Sequence, residues 1–232
     1  VIATAAEHDR TVTVHQSRRW DTDFLAVQRL MRNGDLGEVF NIETFVGGSG
    51  SGDVLIGANN ASHWQVTGAN AGTIDDTTVG APASVEFNFS GFETLQGGSG
   101  ADDFTIAAAA SVSGSVDGGA GTDTFIFLTR ASAVTVNLET GTAADGSSTF
   151  ASFDAFENFT GSAAANDRLV GRDQQSDWQL TASGAGTIDD TPVGAPDGGA
   201  EFTFTGFESL QGGSAADTFT AQTGGALSFT LL

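Results

Sequence analysis

One long phrase is written twice in this chain, about half its length apart. Trp64-Gln65-Val66-Thr67, Gly72-Thr73-Ile74-Asp75-Asp76-Thr77 and Phe87-Asn88-Phe89-Ser90-Gly91-Phe92-Glu93 return as Trp178-Gln179-Leu180-Thr181, Gly186-Thr187-Ile188-Asp189-Asp190-Thr191 and Phe202-Thr203-Phe204-Thr205-Gly206-Phe207-Glu208. The offset is 114 residues between the tryptophans and 115 between the glutamates. A repeat of this length predicts an array in which each unit buries its apolar face against the next.

A shorter phrase recurs four times. It runs from Glu43-Thr44-Phe45 to Asp53-Val54-Leu55, from Glu93-Thr94-Leu95 to Asp102-Asp103-Phe104, from Glu157-Asn158-Phe159 to Asp167-Arg168-Leu169, and from Glu208-Ser209-Leu210 to Asp217-Thr218-Phe219. The glutamates are 50, 64 and 51 residues apart, so each interval must hold several strands and turns. Apolar residues alternate at Val85, Phe87 and Phe89 and again at Phe202 and Phe204, the period of a strand with one buried face. Short apolar runs at Val54 to Ile56, Trp64 to Thr67, Phe104 to Ile106, Phe125 to Leu128 and Val134 to Leu138 read the same way. The glycines between them suit corners that need positive φ. The expected fold is all-β: a parallel β-solenoid in two repeat blocks, 39–156 and 157–232, with a short α/β stub or cap over 1–38. Tandem β-sandwiches are the alternative.

Charge narrows the partners. All eight basic residues are Arg, and the formal net charge is −21. Residues 1–38 hold five Arg against six acids, whereas 39–232 hold three against 23, so the chain changes character near residue 39. An anionic surface of this size repels nucleic acid and anionic lipid and suits a secreted or cell-surface setting. With no Cys, neither a disulfide framework nor a thiolate metal site can form. No apolar run approaches the roughly 20 residues of a membrane span. Both ends read as cut, as in a piece of a longer parent whose neighbouring repeats would be its first partners.

Two segments carry a metal-site pattern. Gly97-Gly98-Ser99-Gly100-Ala101-Asp102-Asp103-Phe104-Thr105 and Gly118-Gly119-Ala120-Gly121-Thr122-Asp123-Thr124-Phe125-Ile126 fit a nonapeptide G-G-x-G-x-D-x-U-x, with U a large apolar residue. With the repeat pattern, they make residues 39–232 resemble the haemolysin-type (RTX-like) calcium-binding repeats of bacterial secreted and surface proteins. The resemblance implies Ca²⁺ held by turn carbonyls and Asp carboxylates, hence by Gly97, Gly100, Asp102, Gly118, Gly121 and Asp123. Asp217 belongs to a copy, Gly212-Gly213-Ser214-Ala215-Ala216-Asp217, that lacks the third Gly. The family binds calcium between tandem nonapeptides, whereas the two full copies here start 21 residues apart. The competing reading makes these turns plain corners.

Residues 1–38 differ in kind. Phe24, Val27, Leu30 and Met31 fall at helical spacing before Asn33-Gly34, and Thr11 to Gln16 reads as a strand. Val14-His15-Gln16-Ser17-Arg18-Arg19-Trp20-Asp21-Thr22-Asp23-Phe24-Leu25, continuing to Gly34-Asp35-Leu36-Gly37-Glu38-Val39, resembles the middle of a Gfo/Idh/MocA (glucose-fructose oxidoreductase) dehydrogenase. The resemblance implies that Arg18 and Arg19 are relics of a cofactor pocket. The family's Gly-rich dinucleotide fingerprint has no counterpart, and its catalytic lysine is missing from a chain without Lys. No NAD(P) is therefore expected.

Other chemistry is sparse. His8, His15 and His63 lack ligand spacing. Asp75-Asp76 and Asp189-Asp190 could pair as acid and base in a polysaccharide-active solenoid enzyme, but adjacent strand residues face opposite ways, and Thr-Ile-Asp-Asp-Thr suits a turn. Trp64 and Trp178 could stack on sugars or pack inside. Repetition of nearly every notable polar residue favours a noncatalytic, structural or adhesive segment with a cell-surface or carbohydrate ligand. The alternatives are a partial oxidoreductase fused to repeats and a polysaccharide-active enzyme.

Overall fold

The computed structural model describes residues 44–75, 87–146, 148–190, 200–222 and 230–231. The dehydrogenase-like segment, with Arg18 and Arg19, lies outside the described residues, as do Asp76, His8 and His15.

The described residues are all-β, with no helix, and none of their segments is a helix long and apolar enough to cross a membrane. In chain order the strands are β1 (Thr44–Val46), β2 (Val54–Ile56), β3 (His63–Gly68), β4 (Ala71–Asp75), β5 (Phe87–Ser90), β6 (Thr94–Gln96), β7 (Asp103–Ile106), β8 (Ser115–Asp117), β9 (Thr124–Ile126) and β10 (Val134–Asn137). They continue as β11 (Thr142–Asp145), β12 (Ser148–Asp154), β13 (Asn158–Thr160), β14 (Arg168–Val170), β15 (Asp177–Ala182), β16 (Ala185–Asp189), β17 (Phe202–Thr205), β18 (Ser209–Gln211), β19 (Thr218–Ala221) and β20 (Thr230–Leu231). They form two mixed sheets, ordered β1-β5-β4-β3-β7-β9-β13-β17-β16-β15-β19 and β2-β6-β8-β12-β11-β10-β14-β18-β20.

From β5 to β10 the chain changes sheet after every strand, and the strands so laid down pair in parallel, as β6 with β8 and β7 with β9. Three antiparallel meanders interrupt this: β3-β4-β5, β10-β11-β12 and β15-β16-β17. The first and third are the two copies of the long phrase. Trp64 lies opposite Ile74 as Trp178 lies opposite Ile188, and both copies carry a register shift just beyond. Thr73-Ile74-Asp75 and Thr187-Ile188-Asp189, expected to form a turn, are therefore strand. Burying each isoleucine against a tryptophan outweighs the turn preference of the polar residues beside it.

Three-residue strands suffice because only the central side chain must face inward. β6, β8, β9, β13, β14 and β18 all bury that residue and leave its neighbours part-exposed. In register, these residues form continuous ladders: Phe104, Phe125, Phe159 and Phe204 in the larger sheet, and Val136, Leu169 and Leu210 in the smaller. One core cluster runs through both copies of the repeat. Stacked rings reinforce it, with Trp64 on Phe104 at 4.9 Å, Phe125 on Phe156 at 4.7 Å and Trp178 on Phe219 at 5.0 Å. Such pairs contribute about 0.5–1.5 kcal/mol each beyond area burial.

The glycine-rich corners serve a second purpose besides positive φ. At Gly98, which does not have a positive φ, an added Cβ would lie 1.7 Å from the Ala58 carbonyl oxygen. Here glycine lets one row of backbone touch the next.

Candidate functional site

The fold stacks the two nonapeptides that sequence separates by other residues. Gly97 N–H donates to Asp117 O, Ala120 N–H to Gly98 O, and Thr124 N–H to Asp102 O, so the Gly97–Asp102 and Gly118–Asp123 turns occupy adjacent rows. Backbone contact is close enough that a Cβ on Gly97 would meet Gly118 O at 2.1 Å, and one on Gly121 would meet Gly100 O at 2.1 Å.

The two aspartates within this pair differ. Asp102 is buried, and its Oδ1 accepts from Ser62 N–H at 2.9 Å and from the Ser62 hydroxyl, while Oδ2 accepts from Gly98 N–H at 3.0 Å. Ser62 Oγ in turn accepts the Trp64 indole N–H at 3.1 Å. The second copy repeats the arrangement: Asp217 Oδ1 accepts from Ser176 N–H and Oγ–H at 3.1 and 2.6 Å, and Trp178 Nε1–H donates to Ser176 Oγ at 2.9 Å. Asp167 accepts in a similar way from Ser162 and from Val134 N–H. These three carboxylates face hydrogen-bond donors.

Asp123 is also fully buried, but its Oδ1 accepts only the Asp102 N–H, at 2.7 Å, and its Oδ2 has no hydrogen-bond partner. Its pKa is pushed up to about 6, first by burial; the Asp102 N–H opposes the rise, and the charges of Asp102, Glu157 and Asp117 add to it. Calcium takes six to eight oxygens. Of the carboxylates expected to hold it, Asp123 alone combines an oxygen without a partner with neighbours that favour a cation. Among the described residues no group of three or more His, Cys, Asp and Glu side chains is placed to hold a metal.

The recurrent glutamates have a role that sequence reading misses. Glu93 Oε2 accepts the N–H groups of Gly52 and Asp53 at 3.1 and 3.0 Å, Glu157 Oε2 accepts Asp123 N–H at 2.7 Å, and Glu208 Oε2 accepts Asp167 N–H at 2.9 Å. Each caps the turn of a neighbouring row. The only sequence signal is the recurrence of Glu and Asp at related intervals. Arg130, also unremarked in sequence, is buried, donates to the carbonyls of Ala107 and Ala110, pairs with Asp145 at 2.5 Å and lies 3.6 Å from the Phe150 ring centre.

The remaining candidates resolve plainly. Trp64 and Trp178 are fully buried and cannot stack on a sugar. His63 lies 3.2 Å from Asp103 at the surface. Asp190 is buried 3.6 Å from Arg172; burial raises its pKa while the guanidinium opposes the rise. A cavity of about 300 Å³ is lined by Glu139, Asp154, Arg172, Phe153 and Phe156 among others. Both of its carboxylates already accept backbone N–H groups, Glu139 from Asp173 and Asp154 from Ala155.

No protein-family model, no curated protein and no solved structure matches this chain.

Proposed function

We propose that the chain is a noncatalytic segment of a secreted or cell-surface bacterial repeat protein, folded as a parallel β-solenoid that serves as a structural or adhesive scaffold. The observation that carries this reading is the use of the repeated polar residues. Asp102, Asp167 and Asp217, Ser62 and Ser176, and Glu93, Glu157 and Glu208 all join one row of backbone to another. A catalytic constellation would instead bring unlike groups together once. The solenoid is favoured over tandem sandwiches because the chain crosses between sheets after single strands and one core spans both copies. Calcium belongs to the proposal at Asp123, which among the expected ligands has a buried carboxylate oxygen without a donor.

Two measurements test the reading. Thermal unfolding followed by far-UV circular dichroism, in millimolar calcium and again with chelator, tests the metal: a higher midpoint in calcium that disappears in Asp123→Asn supports it, and identical melts remove it. Depolymerisation of a panel of acidic and neutral polysaccharides tests the absence of catalysis. A turnover rate that falls in Glu139→Gln or Asp154→Asn would overturn the scaffold reading.

A further inference from the structure

The cavity beside β12 brings unlike charged groups together, outside the pattern of the repeat. Its volume is about 300 Å³, and it is lined by Glu139 in the turn between β10 and β11, Asp154 at the end of β12 and Arg172 just after β14, with Phe153, Phe156 and Phe202 among its walls. The β10-β11-β12 meander belongs to neither copy of the long phrase. Arg172 belongs to the second copy and has no basic counterpart in the first. Gly57 and Gly171 sit alike against Trp64 and Trp178, each with its Cβ position 2.8 Å from the indole Cζ2, yet the residues that follow are Ala58-Asn59 in one copy and Arg172-Asp173 in the other.

Each charged group is held in place and keeps hydrogen-bonding capacity to spare. Glu139 Oε2 accepts Asp173 N–H at 2.9 Å and Asp154 Oδ1 accepts Ala155 N–H at 2.9 Å, which leaves the second oxygen of each carboxylate without a partner among the described residues. The Arg172 guanidinium carbon lies 4.6 Å from the Phe202 ring centre, and one terminal nitrogen lies 3.6 Å from the buried Asp190 carboxylate, while 42% of the arginine side chain is exposed. The ring fixes the guanidinium plane and the ion pair engages one of its nitrogens, so further N–H donors remain for a ligand. Ala155, also on the cavity wall, has φ 54°, a conformation that non-glycine residues adopt where their surroundings impose it.

The chemistry of the walls selects the ligand. An anion meets two carboxylates and a guanidinium already shared with Asp190, on a chain of net charge −21. A bare cation meets that guanidinium, and among the described residues no group of three or more acidic side chains gathers to offset it. A hydroxyl satisfies both kinds of wall: its O–H donates to a carboxylate and its oxygen accepts from a guanidinium, both in charge-assisted hydrogen bonds. A volume of about 300 Å³ is at the small end for ligand sites and suits one sugar ring rather than an extended chain. We propose that this cavity binds a single residue of a neutral glycan, with hydroxyls that donate to Glu139 and Asp154 and accept from Arg172. The choice of a glycan rests on the adhesive reading above, whereas the cavity and its charged lining do not.

Saturation-transfer difference NMR titrations of the full 232-residue chain test it, with D-glucose, D-galactose, D-mannose and N-acetyl-D-glucosamine as probes and D-glucuronate and L-alanine for comparison. At least one neutral sugar is expected to bind saturably, and glucuronate and alanine are expected not to. Glu139→Gln and Asp154→Asn keep an oxygen for the backbone N–H and remove a charged acceptor, so each is expected to weaken binding about tenfold or more while the thermal midpoint stays unchanged. Arg172→Lys keeps a charge beside Asp190 and loses the planar fork, with the same expected loss of affinity. Failure of every neutral sugar to bind, tighter binding of glucuronate or alanine, or affinity undiminished in all three variants would each overturn the proposal. The two readings fail separately. A sugar that binds while its oligosaccharide is cleaved sustains the site and overturns the noncatalytic scaffold, whereas no binding and no cleavage removes the site and leaves the scaffold standing.

Discussion

Glu157 Oε2 accepts the backbone N–H of Asp123 at 2.7 Å while the Asp123 carboxylate, in the same turn, accepts the N–H of Asp102. Three rows are thus tied by two carboxylates that also repel each other. The two effects separate on substitution. Glu157→Ala leaves a part-buried N–H without its acceptor and is expected to cost about 1.5–3 kcal/mol, the range for hydrogen bonds to charged groups. Glu157→Gln keeps an acceptor and removes the repulsion, so its stability at neutral pH should equal or exceed that of the wild type. Urea unfolding midpoints of the two variants check this.

The raised pKa of Asp123 predicts a direction for the pH dependence. The unfolded chain releases this proton near the ordinary value of 3.8 and the folded chain at about 6, so between those values the folded state holds more protons. Stability contributed by this group is fully present below about 4, falls as pH rises towards 6 and is absent above. Asp123→Asn is expected to flatten that decline and to gain on the order of 1–3 kcal/mol at neutral pH, since burial then no longer opposes a charge. Chemical unfolding of both proteins between pH 4 and pH 8 reads the difference.

The strands around Phe87 and Phe204 are legible in sequence because a sheet with one buried face imposes a period of two. The meander β10-β11-β12 is only half legible. Val134-Thr135-Val136 announces a strand, but Thr142-Ala143-Ala144-Asp145 has no bulky apolar residue, and its strand character comes from pairing with Val136 on one side and Ala151 on the other. The same division applies to the candidate site. Asp102 and Asp123 stand out in the nonapeptides, whereas Ser62 and Glu157 do not, because their partners are 40 and 34 residues away and are chosen by row stacking. The nonapeptide pattern also suggests that both carboxylates are alike. Only the surrounding donors reveal that one is satisfied and the other is not.

Each Trp-Ser-Asp arrangement should behave as an independent strut. Ser62→Ala removes the acceptor of the Trp64 indole and one of the donors to the buried Asp102, and Ser176→Ala does the same to Trp178 and Asp217. Each loss is expected to cost about 1–3 kcal/mol. The two sites lie in different copies and share none of these partners, so the double variant should show the sum within about 0.5 kcal/mol. Tryptophan fluorescence followed through urea unfolding reports on both.

Two glycines in comparable turns should respond oppositely to a methyl group. At Gly50 an added Cβ finds nothing within 4 Å, and φ is not in the left-handed region, so Gly50→Ala chiefly restricts the unfolded chain and is expected to stabilise by about 0.4–1 kcal/mol. At Gly98 the same Cβ would meet Ala58 O at 1.7 Å and Ala58 C at 2.5 Å, both backbone atoms of the adjoining row. These atoms cannot rotate away, so Gly98→Ala must separate the rows. That movement strains the Gly98 N–H bond to Asp102 Oδ2 and the Ala120 N–H bond to Gly98 O. A loss of at least about 2 kcal/mol is expected, in line with overpacking of a close-packed interior. Thermal midpoints that rise for Gly50→Ala and fall for Gly98→Ala would establish that close approach of rows is what requires glycine at position 98. Equal shifts at the two positions would instead show that the contact with the Ala58 backbone does not set the requirement for glycine at position 98.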